Sequence, residues 1–168
     1  LERENNVTQR RAADRRNSIA AQFDRICAVL DALGYLDPSH PDEVTPAGTM
    51  LTRIYSELDL VVAQAIREKV FAELNGPQLA AVLSTMVYEA RATDTGGHRT
   101  PDDTSARAER ALRSVWREVG LVERDHRVER QRDLDIGFAD AAAQWASGAS
   151  LADILGEFGL TAGDFVRW

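Results

Sequence analysis

The sequence predicts an all-α helical bundle with short connections and one long charged helix. Apolar residues recur at alternating spacings of three and four, which is the period of one face of an α-helix. Glycine, proline and capping residues separate these stretches at short intervals. No segment shows the alternation of apolar and polar residues that is typical of a half-buried strand. Because 44% of the 168 residues are hydrophobic, we expect a folded domain with a core.

The first half of the chain is predicted to form several helices with clear starts and ends. Gly34 stands in the position of a left-handed C-cap, and a turn-rich connection follows it to about residue 44. Thr45 and Pro46 cap and begin the next helix, and a second capping box at Ser56 and Asp59 predicts a break into two helices. The predicted core faces are Ile19, Phe23, Ile26, Leu30 and Leu33, then Leu51, Ile54 and Leu58, then Leu60, Ala63, Ile66 and Val70.

The second half begins with the punctuation Asn75-Gly76-Pro77, after which Leu79, Val82, Leu83, Met86 and Val87 form a predicted core face. Residues 92–100 are predicted to be a loop. The segment 100–103 caps a long helix that continues beyond residue 120, with Ala108, Leu112, Val115, Trp116 and Val119 facing inward. Residues 124–135 mix both charge signs, which is typical of a solvated face. Three short helices follow, over about 136–147, over 151–157 and from Ala162, and Gly148 and Gly159 end the first two.

Charge and composition limit the function classes. The net charge of -7 argues against a large basic nucleic-acid surface, although a few contacts inside a shared groove stay compatible with it. The single cysteine, Cys27, is predicted to be a small buried residue and fits a reducing cytoplasm. No apolar run approaches the roughly 18 residues that span a bilayer, so no membrane contact is predicted. Residues 1–16 carry five arginines and are predicted to be a basic helical arm or a linker.

The sequence lacks the patterns of enzymes and metal sites. Lys69 lies in the middle of a predicted helix, so it cannot serve a phosphate-binding P-loop. His40, His98 and His126 are far apart, and no HExxH or cysteine–histidine cluster is present. Ser84 has no flanking glycines and no nearby base. We therefore expect no catalytic residues, no cofactor and no metal in this chain.

The last residues contain an incipient helix. Thr161 and Asp164 have the spacing of a capping box, and Phe165, Val166 and Trp168 begin an apolar face that stops after about two turns. Because so short a helix is marginal by itself, we expect the chain to be a piece of a longer protein. The two predicted helices joined by a turn at Gly159 are compatible with a DNA-binding helix-turn-helix or with an ordinary hairpin of two helices. Arg167 is the only basic side chain of that segment.

Segments spread over nearly the whole chain resemble the DSHCT domain, the C-terminal helical domain of the superkiller and HelY group of DExH-box RNA helicases. The order and spacing of these segments together carry the resemblance, which is most similar to the actinobacterial HelY type. They are Phe23 with 29–36, then 44–48, Ile54 with 57–60, 79–91, Phe138 with 145–148, and 163–168. On this resemblance residues 17–168 form the helical domain, truncated at its C-terminus, and residues 1–16 precede it.

The resemblance implies an accessory domain at the exit of the single-strand channel of an ATP-dependent helicase. ATP and Mg would bind to RecA-like motor domains that this chain lacks. Single-stranded RNA, with DNA as the alternative, would pass a ratchet-like helix that begins at Gly163. The implied strand contacts are Arg167 and Asp164 on that helix, with Glu89 and Arg91 as a second region. Arg91 has an internal salt bridge as its alternative role. Relatives can carry an acidic residue one place after Glu89, where this chain has Ala90.

Two other functions stay open from the sequence. One is a DNA-binding regulator that uses the terminal helix-turn-helix, although Ala162 to Phe165 lack the polar and basic residues of a recognition helix. The other is a purely structural bundle that braces motor domains or docks a partner, in which Arg167 would pair with a carboxylate.

Overall fold

The fold of the described residues is helical apart from one small sheet, which confirms the predicted all-α class. A computed structural model describes residues 18–90, 100–129 and 131–167, without the side chains of residues 41, 42, 164 and 167. The elements are α1 (18–32), β1 (Leu36–Asp37), β2 (His40–Val44), α2 (Pro46–Leu51), α3 (Asp59–Arg67), α4 (Gly76–Ser84), α5 (Asp103–Asp125), α6 (Ala139–Ala146), α7 (Leu151–Phe158) and α8 (Ala162–Arg167). The predicted arm over 1–16 and, apart from Thr100, the predicted loop over 92–100 lie outside the described residues.

A two-stranded antiparallel hairpin replaces part of the connection that we predicted to be turns only. Leu36 pairs with Val44 and Asp37 pairs with His40, with an irregular register between the two pairs. One strand has two residues and the other contains Pro41. Such strands are too short and too irregular to show the alternation by which a strand is recognised. The expectation that the chain contains no strand was therefore wrong at this place.

The local starts and ends of helices agree with the sequence. Gly34 is left-handed, with φ of 74°. The Thr45 hydroxyl accepts a hydrogen bond from the Gly48 amide, and Pro46 begins α2. The predicted break is present between α2 and α3, and there the Ser56 hydroxyl accepts from the Leu58 amide at 3.2 Å.

The first half of α2 lies directly against the backbone that follows α1. The Thr45 hydroxyl donates to the carbonyl oxygens of Gly34 and Tyr35, at 3.0 and 3.1 Å. A Cβ atom on Gly48 would lie 2.3 Å from the Tyr35 carbonyl oxygen. Only glycine fits this close approach, which explains why a glycine follows the Thr-Pro-Ala sequence here.

The chain divides into two compact units. The first comprises the residues up to Asp59 and Glu118–Gln131. Its buried residues include Val29, Tyr35, Leu58 and Val119. The predicted core face of α1 is wrong over its first turns, since Ile19, Phe23 and Ile26 are exposed, with Phe23 at 65%. Periodicity identified the apolar face correctly, but nothing in the described part of the chain covers it.

The second unit comprises Leu60–Arg117 and the residues from Arg132 onward. Its α4 and α6 pack closely through small residues, Ala81 against Ala139 and Ala143. Buried faces of α3 and α5 contribute Leu60, Val61, Ala63, Ala65, Ala108, Leu112 and Val115. Ile66, which we predicted to be buried, is exposed.

The long helix α5 begins with a capped first turn, as predicted. The Asp102 carboxylate accepts from the Ser105 amide at 2.8 Å and from the Gln78 side-chain amide at 3.0 Å. These hydrogen bonds, the Ser105 bond first, hold the pKa of Asp102 below its usual value because they favour the charged carboxylate. Near the middle of α5, Trp116 donates its Nε1 proton to the Arg132 carbonyl at 3.0 Å. None of the helices in the described residues is long and apolar enough to cross a membrane.

Candidate nucleic-acid interface

The terminal helix α8 is anchored to the second unit by an aromatic cluster. The ring of Phe165 lies 5.6 Å from that of Phe138 and 5.1 Å from that of Trp145, the latter edge to face. Phe138 in turn stacks on Tyr88 at 5.6 Å. Tilted and offset aromatic pairs at these distances stabilise the packing by about 0.5–1.5 kcal/mol each beyond burial. One side of α8 is thereby held in place.

Among the described side chains of α8, those other than Phe165 are exposed. Val166, next to the anchor Phe165, is 80% exposed. The helix begins at Ala162, directly after Thr161, whose carbonyl accepts from the Phe165 amide at 3.0 Å. The preceding α7 ends at Gly159, which is left-handed with φ of 63°. The turn and the anchor together fix where α8 begins.

For the two predicted contact residues on α8, the structure describes the backbone but not the side chains. Asp164 and Arg167 both belong to the helix, but their side chains lie outside the described part of the structure. Arg91 lies wholly outside the described residues. Glu89, the fourth predicted residue, is exposed.

The segment that carries Glu89 is held by hydrogen bonds from two residues far along the chain, Arg132 and Asp135. Arg132 donates from Nη1 to the Tyr88 carbonyl at 2.9 Å and from Nη2 to the Met86 carbonyl. Asp135 accepts from the Ala90 amide at 2.9 Å through its side chain, and its own amide donates to the Thr85 carbonyl at 3.0 Å. Carbonyls and amides beyond the end of α4 are therefore satisfied by the Arg132 and Asp135 side chains and by the Asp135 backbone amide. Arg132 and Asp135 were not among the predicted site residues, because they lie in the charged stretch that we interpreted as a solvated face.

The two predicted contact regions meet at the same aromatic cluster. Ala90 and Phe165 both pack against the buried group that contains Tyr88, Phe138 and Ile154. The small side chain of Ala90 thus contributes to packing. The structure brings α8 and the Glu89 segment to one region, which the sequence alone could not indicate.

An apolar groove lies beside α8. Leu83 and Val87 were predicted to be core residues but are exposed, and they line this groove with Trp145, which is half exposed. The groove has a volume of about 340 Å³ and is also lined by Ala80, Ser84, Phe138, Ala142, Ala146 and Phe165. Ser84, whose hydroxyl donates to the Ala81 carbonyl at 2.8 Å, has the ordinary role of a helix serine.

The α7–α8 pair has the outline of a helix-turn-helix but a different packing. In a recognition helix the first turns present side chains to DNA bases. Here Phe165 in those turns packs on Phe138 and Trp145. The arrangement corresponds to a hairpin of two helices whose second member is docked by its apolar side.

Comparison with known proteins agrees with this architecture. The family model described as the DSHCT (NUC185) domain matches residues 41–168. The whole chain is 37% identical to a probable helicase HelY of Mycobacterium leprae and 36% identical to one of Mycobacterium tuberculosis, and it spans 20% of each of these proteins. Across 74% of its length it is 27% identical to the chloroplastic DExH-box ATP-dependent RNA helicase DExH15 of Arabidopsis thaliana, of which it spans 11%. The chain therefore belongs to the DSHCT domain family.

Proposed function

We propose that this chain is the accessory domain of an ATP-dependent RNA helicase and forms part of the wall of its single-strand exit channel. In this proposal α8 touches the passing strand through Arg167, with Asp164 beside it. The observation that carries it is the similarity over the full chain to proteins named helicases. The docking of α8 through Phe165, with Val166 exposed, supports the position of the contact.

A single weak arginine contact is compatible with a strand that moves through the channel. Arginine can stack on a base or pair with a phosphate, and a cation over an aromatic ring contributes on the order of 0.5–2 kcal/mol. A strand that must move needs repeated weak binding and release. The net charge of -7 then reduces the affinity of the isolated domain for RNA but leaves a local contact possible.

Glu89 forms the second part of the proposed channel wall. It is exposed on a segment that Arg132 and Asp135 hold through four hydrogen bonds. A fixed carboxylate next to a strand repels phosphates and so favours contact through bases or sugars. Arg91 follows this segment directly and would supply the compensating charge.

The nucleotide chemistry belongs to other parts of the proposed helicase. RecA-like motor domains would bind ATP and Mg and hydrolyse the nucleotide, and this chain would act on the nucleic acid alone. A reading frame that encodes this chain together with a P-loop and a DExH box would support the proposal. A frame without them would contradict it.

The site is tested by Arg167→Ala in the intact helicase. We expect unwinding of a tailed RNA duplex to fall by about fivefold or more, which corresponds to roughly 1 kcal/mol of lost strand contact. ATP hydrolysis without RNA should stay at the wild-type rate. Arg110→Ala, on an exposed position of α5, is the matched control and should unwind normally. Unwinding by Arg167→Ala at the wild-type rate would refute the contact, and a parallel DNA duplex shows which nucleic acid is used.

A structural role as a brace or docking bundle is the second candidate. The exposed apolar residues Ile19, Phe23 and Ile26 on α1 favour it, because contiguous exposed apolar surface is typical of interaction sites. The test is to measure the hydrogen-exchange protection of the α1 amides in this domain alone and in the intact helicase. Strong additional protection of α1 in the intact protein, with normal unwinding by Arg167→Ala, would favour bracing over strand contact.

A further inference from the structure

The hairpin β1–β2 brings three side chains with metal-binding atoms together. One carboxylate oxygen each of Asp37 and Glu43 and one imidazole nitrogen of His40 lie within 4.8 Å of one another. The hairpin register pairs Asp37 directly with His40, which places these two side chains next to each other. Glu43 follows three residues later on β2, in the stretch where the register is irregular, so the strict alternation of faces in a regular strand does not apply to it. The cluster lies within the first unit and shares no residue with the candidate nucleic-acid interface.

One member of the cluster is already oriented. The Ser39 amide donates to Asp37 Oδ1 at 2.8 Å within the turn. A hydrogen bond of this kind fixes the carboxylate and leaves its remaining lone pairs for another partner. Asp37 is half-buried, whereas His40 and Glu43 are exposed. An ion can therefore reach the cluster from solvent.

We propose that Asp37, His40 and Glu43 form a binding site for a divalent transition-metal ion, with Zn²⁺ as the preferred ion. An imidazole nitrogen with two carboxylate oxygens matches the donors that zinc accepts. Mg²⁺ and Ca²⁺ favour oxygen donors alone, so the histidine selects against them. Around tetrahedral Zn²⁺ the ligand atoms lie roughly 3.3 Å apart. Side-chain movements of about 1 Å are enough to close the present arrangement to that spacing.

The surroundings leave room for a fourth ligand. Asp37 also lines a cleft of about 310 Å³, together with Cys27, Ala28, Asp31, Leu36 and Pro38. Water can complete the coordination from this side or from bulk solvent, as in zinc sites with three protein ligands. The bound ion links β1 to β2 and so stabilises the hairpin that precedes α2. The proposal departs from our expectation of no metal, which rested on the absence of HExxH and cysteine–histidine patterns from the sequence.

Isothermal titration of the tag-free chain with zinc chloride tests the proposal. We expect one ion per chain and an affinity for Mg²⁺ that is at least about a hundredfold weaker. The variants His40→Gln and Glu43→Gln should each weaken zinc binding by about tenfold or more. Both positions are exposed, so these variants should fold, and circular dichroism checks that they do.

A matched control is provided by a histidine outside the cluster. His126 contacts the Val122 carbonyl through Nδ1 at 2.9 Å, and His126→Gln should bind zinc as the wild type does. Zinc should also raise the melting temperature of the wild type and of this control, but not that of His40→Gln. Absence of binding at millimolar zinc, or unchanged affinity in His40→Gln and Glu43→Gln, would overturn the proposal.

Discussion

Gly137→Ala is expected to destabilise the protein because the new methyl group has no space. A Cβ atom at residue 137 would lie 2.7 Å from Cε1 of Tyr88 and 3.2 Å from Oδ1 of Asp135. Neither neighbour can move freely. The Tyr88 ring is buried and stacked on Phe138, and Asp135 Oδ1 accepts from the Gly137 amide at 2.9 Å.

The expected magnitude is the difference of two effects. Forcing an additional methyl group into a packed site costs about 1–3 kcal/mol. Replacing glycine by alanine also reduces the entropy of the unfolded chain, which returns about 0.4–1 kcal/mol. The net loss is therefore about 1–2 kcal/mol, or roughly 3–6 °C in melting temperature for a domain of this size.

Chemical denaturation of this variant and of Gly156→Ala measures the effect. Gly156 lies in α7, and a Cβ there has nothing within 4 Å. Because alanine is the better helix former, we expect this control to gain about 0.5–1 kcal/mol. The two variants make the same chemical change and should shift stability in opposite directions. If Gly137→Ala is as stable as the wild type, the close packing of residue 137 on Tyr88 is refuted.

Three further changes have defined outcomes. Gly48→Ala should lose about 2 kcal/mol or more, seen in thermal melts, because its Cβ would meet the Tyr35 carbonyl oxygen, which is backbone. Asp102→Asn should flatten the acid limb of a stability–pH curve. The pKa of Asp102 is lowered in the folded state, chiefly by the hydrogen bond from the Ser105 amide. The ionised carboxylate therefore adds to the free energy of unfolding at pH values above its unfolded-state pKa of about 3.9, and this stabilisation is lost as the pH falls through the folded-state pKa. Phe165→Ala should speed hydrogen exchange across α8 while the exchange of α4 stays slow, and equal rates in α8 before and after the change would contradict its aromatic anchoring.

The sequence was most informative where structure is decided locally. Thr45 with Pro46 begins α2 as predicted, and such a cap can be recognised from spacing alone. The punctuation at Asn75 also marks the start of α4, where Asn75 and Gln78 form a capping box that we did not predict. Gly34 was likewise predicted from its position after an apolar helix face, and its backbone is left-handed. Segment boundaries were therefore predicted well.

Prediction failed where the outcome depends on what lies opposite a residue. Periodicity placed Phe23 on one apolar helix face and Val87 on another. It does not indicate whether another element packs on such a face, and both residues are exposed. Arg132 and Asp135 looked like members of a solvated charged run. Their partners are backbone groups of residues 85–90, which no local pattern reveals. The candidate strand contacts came from family resemblance, and Asp164, Arg167, Arg91 and Glu89 all stay predictions.

The contacts made by Arg132 and Asp135 also set an order of events during synthesis. The bond from the Asp135 amide to the Thr85 carbonyl joins positions 50 residues apart in sequence, whereas the Asn75 cap of α4 is complete within three residues. On the ribosome α4 can therefore begin to form early, but the turn that carries Glu89 stays unfixed until residues 132–137 have emerged. Closing so long a loop is slow compared with forming a helical turn. The part of the proposed channel wall that carries Glu89 can thus be fixed only after Arg132 and Asp135 have been made.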